Sequence, residues 1–176
     1  IDTLVAGHRE FLAYVERRVH DRALAEEIVQ DALVRNLDKL GEIRESAVGW
    51  FYRVLRNAII DQQHKKMLLM CAESEKCLES AGPESCEKFH DLLNEMAVCA
   101  REHFAKEEEL LLARHYPMLA EHAEEHERFQ TALVDFLVSA VQGEQDKIGV
   151  FRFLSEWWIH HILVSDLDCK PYFEEN

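Results

Sequence analysis

The chain of 176 residues holds only six glycines and three prolines. Sheets and hairpins draw on both at their turns, so the scarcity predicts a mostly helical protein. No apolar run approaches the roughly 20 residues of a membrane-spanning helix. No signal-peptide pattern is visible, and a cytoplasmic location is the default expectation. The five cysteines, Cys71, Cys77, Cys86, Cys99 and Cys169, show no C-x-x-C spacing, so no thiolate zinc site is indicated. Reduced thiols in a reducing compartment are expected. A redox disulfide could join Cys77 and Cys86, which flank the loop 78–83, but spacing alone does not give bridge geometry. Internal repeats and low-complexity stretches are absent as well.

Hydrophobic residues make up 48% of the chain and charged residues 31%, enough apolar material for one large core or two small ones. The charge is uneven. Residues 1–66 carry 11 Lys+Arg against 11 Asp+Glu, leaving 9 against 23 for residues 67–176, where the whole net charge of −14 therefore lies. An acidic surface repels phosphate, so any DNA contact is expected from the N-terminal part.

Apolar residues recur at helical spacing almost throughout. Phe11, Val15 and Val19 mark a first helix, and Leu24, Ile28 and Leu33 a second over 23–37. A third starts near Ser46 and meets no Gly or Pro before Gly82. If it is continuous to about Glu79, it crosses the change in composition near residue 66. A fourth spans about 86–115, Pro117 starts a fifth, and Gly143 and Gly149 bracket a short link to the last.

Seven potential metal ligands fall on the inward stripes of the last four helices. His103 and Glu107 are four apart, as are His122 and His126, so each pair projects from one face of its helix. His64 continues the series Ile60, Met67, Cys71, and His161 follows Leu154 and Trp157. Asp166 stands five beyond His161, which requires a widened turn. Any one of these could be an ordinary core histidine. Together they could not, because a buried imidazole or carboxylate without a partner costs a few kcal/mol. Five imidazoles and two carboxylates would consume a total stability of only about 5–15 kcal/mol. Shared cations remove the difficulty. Seven ligands exceed one tetrahedral zinc and suit two metals with bridging carboxylates. Nitrogen and oxygen donors without thiolate favour iron over manganese or zinc.

The run His103-Phe104-Ala105-Lys106-Glu107-Glu108, then Tyr116-Pro117, His122-x-x-x-His126 with Phe129, and Trp157 before His161-Ile162 and Asp166, resembles hemerythrins. So does Asp61-Gln62-Gln63-His64-Lys65 as an opening helix. The resemblance covers about 60–168 and implies an all-α, up-down four-helix bundle. It implies a di-iron centre, with His122, His126 and His161 on one iron and His64 and His103 on the other. Glu107, Asp166 and an oxo or hydroxo group would bridge the irons. Dioxygen or peroxide would bind in a pocket lined by Phe104, Trp157 and Ile162. His160 points about 100° from His161 and is read as solvated or supporting; His8, His20, His90 and His115 are read as solvated. The long stretch between His64 and His103, which holds Cys71, Cys77 and Cys86, departs from the family.

Residues 8–66 resemble something else. Asp21-x-x-x-Ala25-Glu26-Glu27-Ile28-Val29-Gln30-Asp31-x-x-x-Arg35 and Gly49-Trp50-Phe51-Tyr52-Arg53-Val54-Leu55-Arg56-Asn57-x-x-Ile60-Asp61 are similar to region 2 of extracytoplasmic-function sigma factors. That resemblance implies RNA polymerase core and promoter DNA as partners. Glu26, Glu27, Gln30, Asp31 and Arg35 would face the polymerase, and Arg53, Arg56, Asn57, Lys65 and Lys66 would lie near the −10 strand. Nothing here can be region 4. The expected organisation is a sigma-region-2-like segment, 1–60, sharing a long helix with a hemerythrin-like bundle, 61–176. The expected function is a di-iron sensor of oxygen, peroxide, nitric oxide or redox state acting on a transcription module. The alternative is an oxygen-binding or peroxide-consuming hemerythrin-type protein whose N-terminal segment is a relic or docking module. No enzymatic role is expected beyond a weak peroxidase activity.

Overall fold

The computed structural model describes residues 4, 6–36, 38–41, 46–79, 82–142 and 146–174. Leu37 and Gly143, named above as helix and link positions, lie outside them, as do Ser80 and Ala81 of the loop between Cys77 and Cys86. Among the described residues all regular structure is helical. The elements are α1 (His8–Val19), α2 (Arg22–Arg35), a 3₁₀ turn (Asp38–Gly41), α3 (Ala47–Lys76), α4 (Pro83–Ala113), α5 (Leu119–Val141), α6 (Lys147–His160), a π-turn (His161–Ser165) and α7 (Asp166–Glu174). No helix among the described residues is long and apolar enough to cross a membrane.

The helix starts have local causes. The Asp21 carboxylate accepts the Leu24 N–H at 3.0 Å and opens α2. Pro83 enters α4 at its first turn behind Gly82, whose φ of +123° suits a residue without Cβ. Asp146 accepts the Gly149 N–H at 2.9 Å and opens α6. Gly149 is thus not part of a link, as its identity suggested. It lies inside the first turn of α6, where a Cβ would collide with the capping carboxylate.

The chain divides into two compact units, Ile1–Gln62 and Gln63–Asn176. In the first, Phe11, Leu12 and Val15 of α1 and Ala25, Ile28, Val29 and Ala32 of α2 pack with Phe51, Leu55 and Ile59 of α3. The second unit has two apolar clusters. The larger joins Met67, Met70 and Cys71 to Phe89, Leu93, Met96, Ala100 and Phe104, with Phe129, Leu133, Leu154 and Trp158. The smaller is Leu111, Cys169 and Phe173. Along α4, His103 and Glu107 fall between the buried Ala100 and Leu111, so the polar groups of the core form a layer bounded by apolar packing. The helix α3 is continuous through the change of unit, ending in tight turns from Ser74 to Cys77 and Glu75 to Leu78 rather than at Glu79.

Candidate metal centre

Each buried polar side chain of the second unit comes from a helix whose apolar stripe faces inward, and the stripe carries the ligand with it. All seven predicted ligands meet. His103, Glu107, His126 and His161 are fully buried, and His122 and Asp166 nearly so. Glu107 Oε2 lies 3.7 Å from His103 Nε2, 3.4 Å from His122 Nε2, 3.5 Å from His126 Nε2 and 3.9 Å from His161 Nε2. Asp166 divides its oxygens: Oδ2 is 3.0 Å from His64 Nε2, and Oδ1 is 3.0 Å from His161 Nε2 and 3.8 Å from His122 Nε2.

Asp166 reaches this position through the π-turn. At 100° per residue, five α-helical positions would leave His161 and Asp166 about 140° apart. Instead the Asp166 N–H bonds the His161 carbonyl five residues back. The widened turn returns the carboxylate to the face of the imidazole.

Two sets of donor atoms could each hold a cation: Glu107 with His122, His126 and His161, and Glu107 with His103, His161 and Asp166. His64 approaches the second set, with Nε2 3.1 Å from His103 Nε2. His161 appears in both, with its Nε2 3.1 Å from His126 Nε2 and 3.0 Å from Asp166 Oδ1.

The chemistry of the rings fits cations rather than a hydrogen-bonded core. His126 Nδ1 is 2.7 Å from Glu108 Oε1, His161 Nδ1 3.1 Å from Glu125 Oε1, and His103 Nδ1 3.2 Å from Gln63 Oε1. These oxygens accept, so each ring donates at Nδ1 and turns an Nε2 lone pair inward. The lone pairs of His126 and His161 then face each other at 3.1 Å, and both oxygens of Glu107 and of Asp166 are buried without a hydrogen-bond partner. Such an arrangement is repulsive unless positive charge sits among the donors. Burial, reinforced by neighbouring imidazoles, holds His103 and His126 below the usual histidine range, so they remain lone-pair donors. Burial also pushes the Glu107 carboxyl up. Glu125 goes the other way, to about 2, because His161 and then, against its partial burial, Ser165 hydrogen-bond its charged form.

The aromatic surround differs in one respect from the predicted pocket of Phe104, Trp157 and Ile162. Phe104 is buried and stacks on His126 at 3.9 Å, Trp157 stacks on His161 at 4.4 Å, and Ile162 is half-buried. Trp158, not singled out in the sequence, is fully buried, with its ring 5.7 Å from Phe104 and 6.0 Å from both His103 and His161. Gln63, Glu108, Glu125 and Cys169 were also not assigned roles. The Cys169 sulfur lies 3.9 Å from His122 Nδ1. All five thiols are free, and Cys77 Sγ points to the Glu73 carbonyl at 3.5 Å. His160, His20 and His115 are exposed, whereas His8 and His90 are half-buried.

In the first unit, Glu26, Glu27, Gln30, Asp31 and Arg35 are all exposed on α2, with Arg35 paired to Asp31 at 3.0 Å and Glu26 to Arg22 at 2.8 Å. On α3, Arg53, Arg56 and Asn57 are half-buried and Lys65 and Lys66 exposed. Lys66 is 2.9 Å from Glu95.

Comparison with known proteins agrees with both halves. The model of the hemerythrin HHE cation-binding domain matches residues 55–173, and that of sigma-70 region 2 matches residues 4–67. A bacteriohemerythrin of Stenotrophomonas maltophilia (strain R551-3) is 28% identical over 108 residues, 61% of this chain and 69% of the relative. No solved structure matches. With two-thirds of its length in that match and a histidine–carboxylate cluster at its core, the chain belongs to the hemerythrin HHE cation-binding family, joined to a sigma-70 region 2 segment.

Proposed function

We propose that the protein is a di-iron sensor in which the state of the metal centre controls a sigma-factor-like module that binds RNA polymerase and promoter DNA. One observation carries this reading. His64, beside Asp166 and His103, belongs to the same unbroken helix as Arg53, Arg56 and Asn57. The two family matches overlap over residues 55–67, so this helix serves both.

A pair of irons held by the seven donors would supply a reversible redox change and binding of a small ligand such as dioxygen, peroxide or nitric oxide. The chain's own residues do the rest. Glu107, through Oε2, and Asp166, through both oxygens, reach histidines of both sets. Gln63, Glu108 and Glu125 hold the rings in the tautomer that donates inward. Phe104, Trp157 and Trp158 keep water from the site. A change at the centre alters the hold on His64 and shifts the equilibrium of α3 between two arrangements, for which a coupling of about 1–3 kcal/mol suffices. The exposed polar face of α2 meets the polymerase. The reading assigns binding and sensing, not turnover.

The test is polymerase binding and run-off transcription by the di-ferrous and di-ferric forms of the full chain. Different behaviour is expected; identical behaviour sinks the sensing role. The pairing of Lys66 with Glu95, in a segment of zero net charge, favours the second reading, a small-ligand-binding protein with a docking segment. Rapid hydrogen peroxide consumption with no polymerase binding would select it.

A further inference from the structure

The two halves of the centre are unequally built. Around His122, His126 and His161 the chain supplies three imidazoles, and carboxylates back two of them: Glu108 behind His126 at 2.7 Å and Glu125 behind His161 at 3.1 Å. Glu125 is itself fixed by the Ser165 hydroxyl, which donates to Oε2 at 2.8 Å. Around His64 and His103 there are two imidazoles, and the acceptor behind His103 is the neutral amide of Gln63. The His64 side chain is 11% exposed, against 4% or less for the other four histidines. Its bond to a metal is therefore the one that water can most readily replace.

A carboxylate behind a ligating imidazole raises the basicity of the ring, and losing such a partner costs about 10–100-fold in metal affinity. Two carboxylates on one side and, among the described residues, none against the His103 ring on the other separate the halves by about a hundredfold or more, before the third imidazole is counted. The weaker half is also the one that α3 builds. Its Gln63 holds the His103 ring and the next residue, His64, offers Nε2.

We propose that the centre loads in two steps, the three-histidine half first and the His64–His103 half second and weakly, so that α3 reads the presence of the second metal. The last clause rests on α3 as the transmitting helix; the loading order does not. With one ion bound, His64 has no metal to hold and α3 lacks that tie to the centre. With two, His64 of α3, His103 of α4 and Asp166 of α7 close on one cation.

The experiment is anaerobic titration of the metal-free full chain with ferrous ion in chelator buffers, read as iron bound per chain. Two steps are expected, separated by about a hundredfold or more. His64→Ala should keep the first step and lose the second. Gln63→Glu should tighten the second step by about tenfold or more and leave the first in place. Because Gln63→Glu removes no packing, it remains informative if His64→Ala is poorly folded, which circular dichroism will show. Uptake of both ions in a single step, or an unmoved second step in Gln63→Glu, overturns the loading order. Polymerase binding that is the same for one-iron and two-iron chains leaves the order standing and overturns the role of α3.

Discussion

Glu125 shows how much of the centre depends on residues that are not ligands. Its carboxylate takes the His161 N–H and the Ser165 hydroxyl, and those bonds hold its pKa at about 2. Glu125→Gln is expected to weaken the first ferrous step about 10–100-fold, with little change in fold, as the chelator-buffered titration would measure. An unchanged first step would mean that the His161 ring is held by its stacking on Trp157 instead. The thiols give a second prediction. Burial pushes the Cys71 thiol up to about 11, against which its hydrogen bond to Ser155 does little, whereas Cys86 and Cys99 are half-buried. In folded protein at pH 8, Cys71 should resist iodoacetamide while Cys86 and Cys99 react, because only the thiolate attacks. Mass spectrometry of the labelled peptides decides it; early labelling of Cys71 would show that α3 opens near the bundle core. At this scale the sequence was legible where a residue lay on an apolar stripe, as all seven ligands do. It was not legible for Gln63, Glu108, Glu125 and Cys169. A polar residue on the flank of a helix has the same sequence signal whether it faces water or an imidazole.

Helices translate those residues into positions, and the π-turn His161–Ser165 is the element on which the position of the Asp166 carboxylate depends. The five-residue spacing of His161 and Asp166 already demanded a widened turn, so this feature could be read before the fold was known. Gly149 could not, because a glycine near a helix start reads equally as linker or as the partner of a capping aspartate. Deleting Leu163, which is 63% exposed, would leave a spacing of four. An α-helix places that spacing on one face, so the deletion variant should still bind metal. Inserting an alanine after Leu163 would make the spacing six and turn Asp166 away from the centre. That variant should lose at least one metal per chain by elemental analysis. Equal metal content in the wild type and the insertion would show that Asp166 is dispensable as a ligand.

For the molecule as a whole, the composition change near residue 66 and the unit boundary after Gln62 fall within one helix. The family resemblances showed the two modules. The uninterrupted run from Ser46 to Gly82 predicted a helix running across the composition change, and α3 is that helix. Patterning along one chain carries no information on two arrangements of that rod, so the coupling between modules must be measured. Metal stabilises only the state that binds it, by an amount that grows with the logarithm of free metal over Kd. Removing it from the full chain leaves the inward lone pairs and the Glu107 and Asp166 carboxylates uncompensated. Amide hydrogen exchange should therefore rise along α4 to α7 and along residues 63–76 of α3. The sensing role makes the stronger demand that exchange also change in residues 47–57, which hold Arg53, Arg56 and Asn57 and no ligand. Helix hydrogen bonds run four residues back, so loosening at His64 reaches the Ile60 carbonyl directly and residue 57 only if several turns respond together. A change that fades before Ile60 would confine the metal's influence to the bundle. One that extends to Arg53 would place Arg53 and His64 in a single cooperative segment.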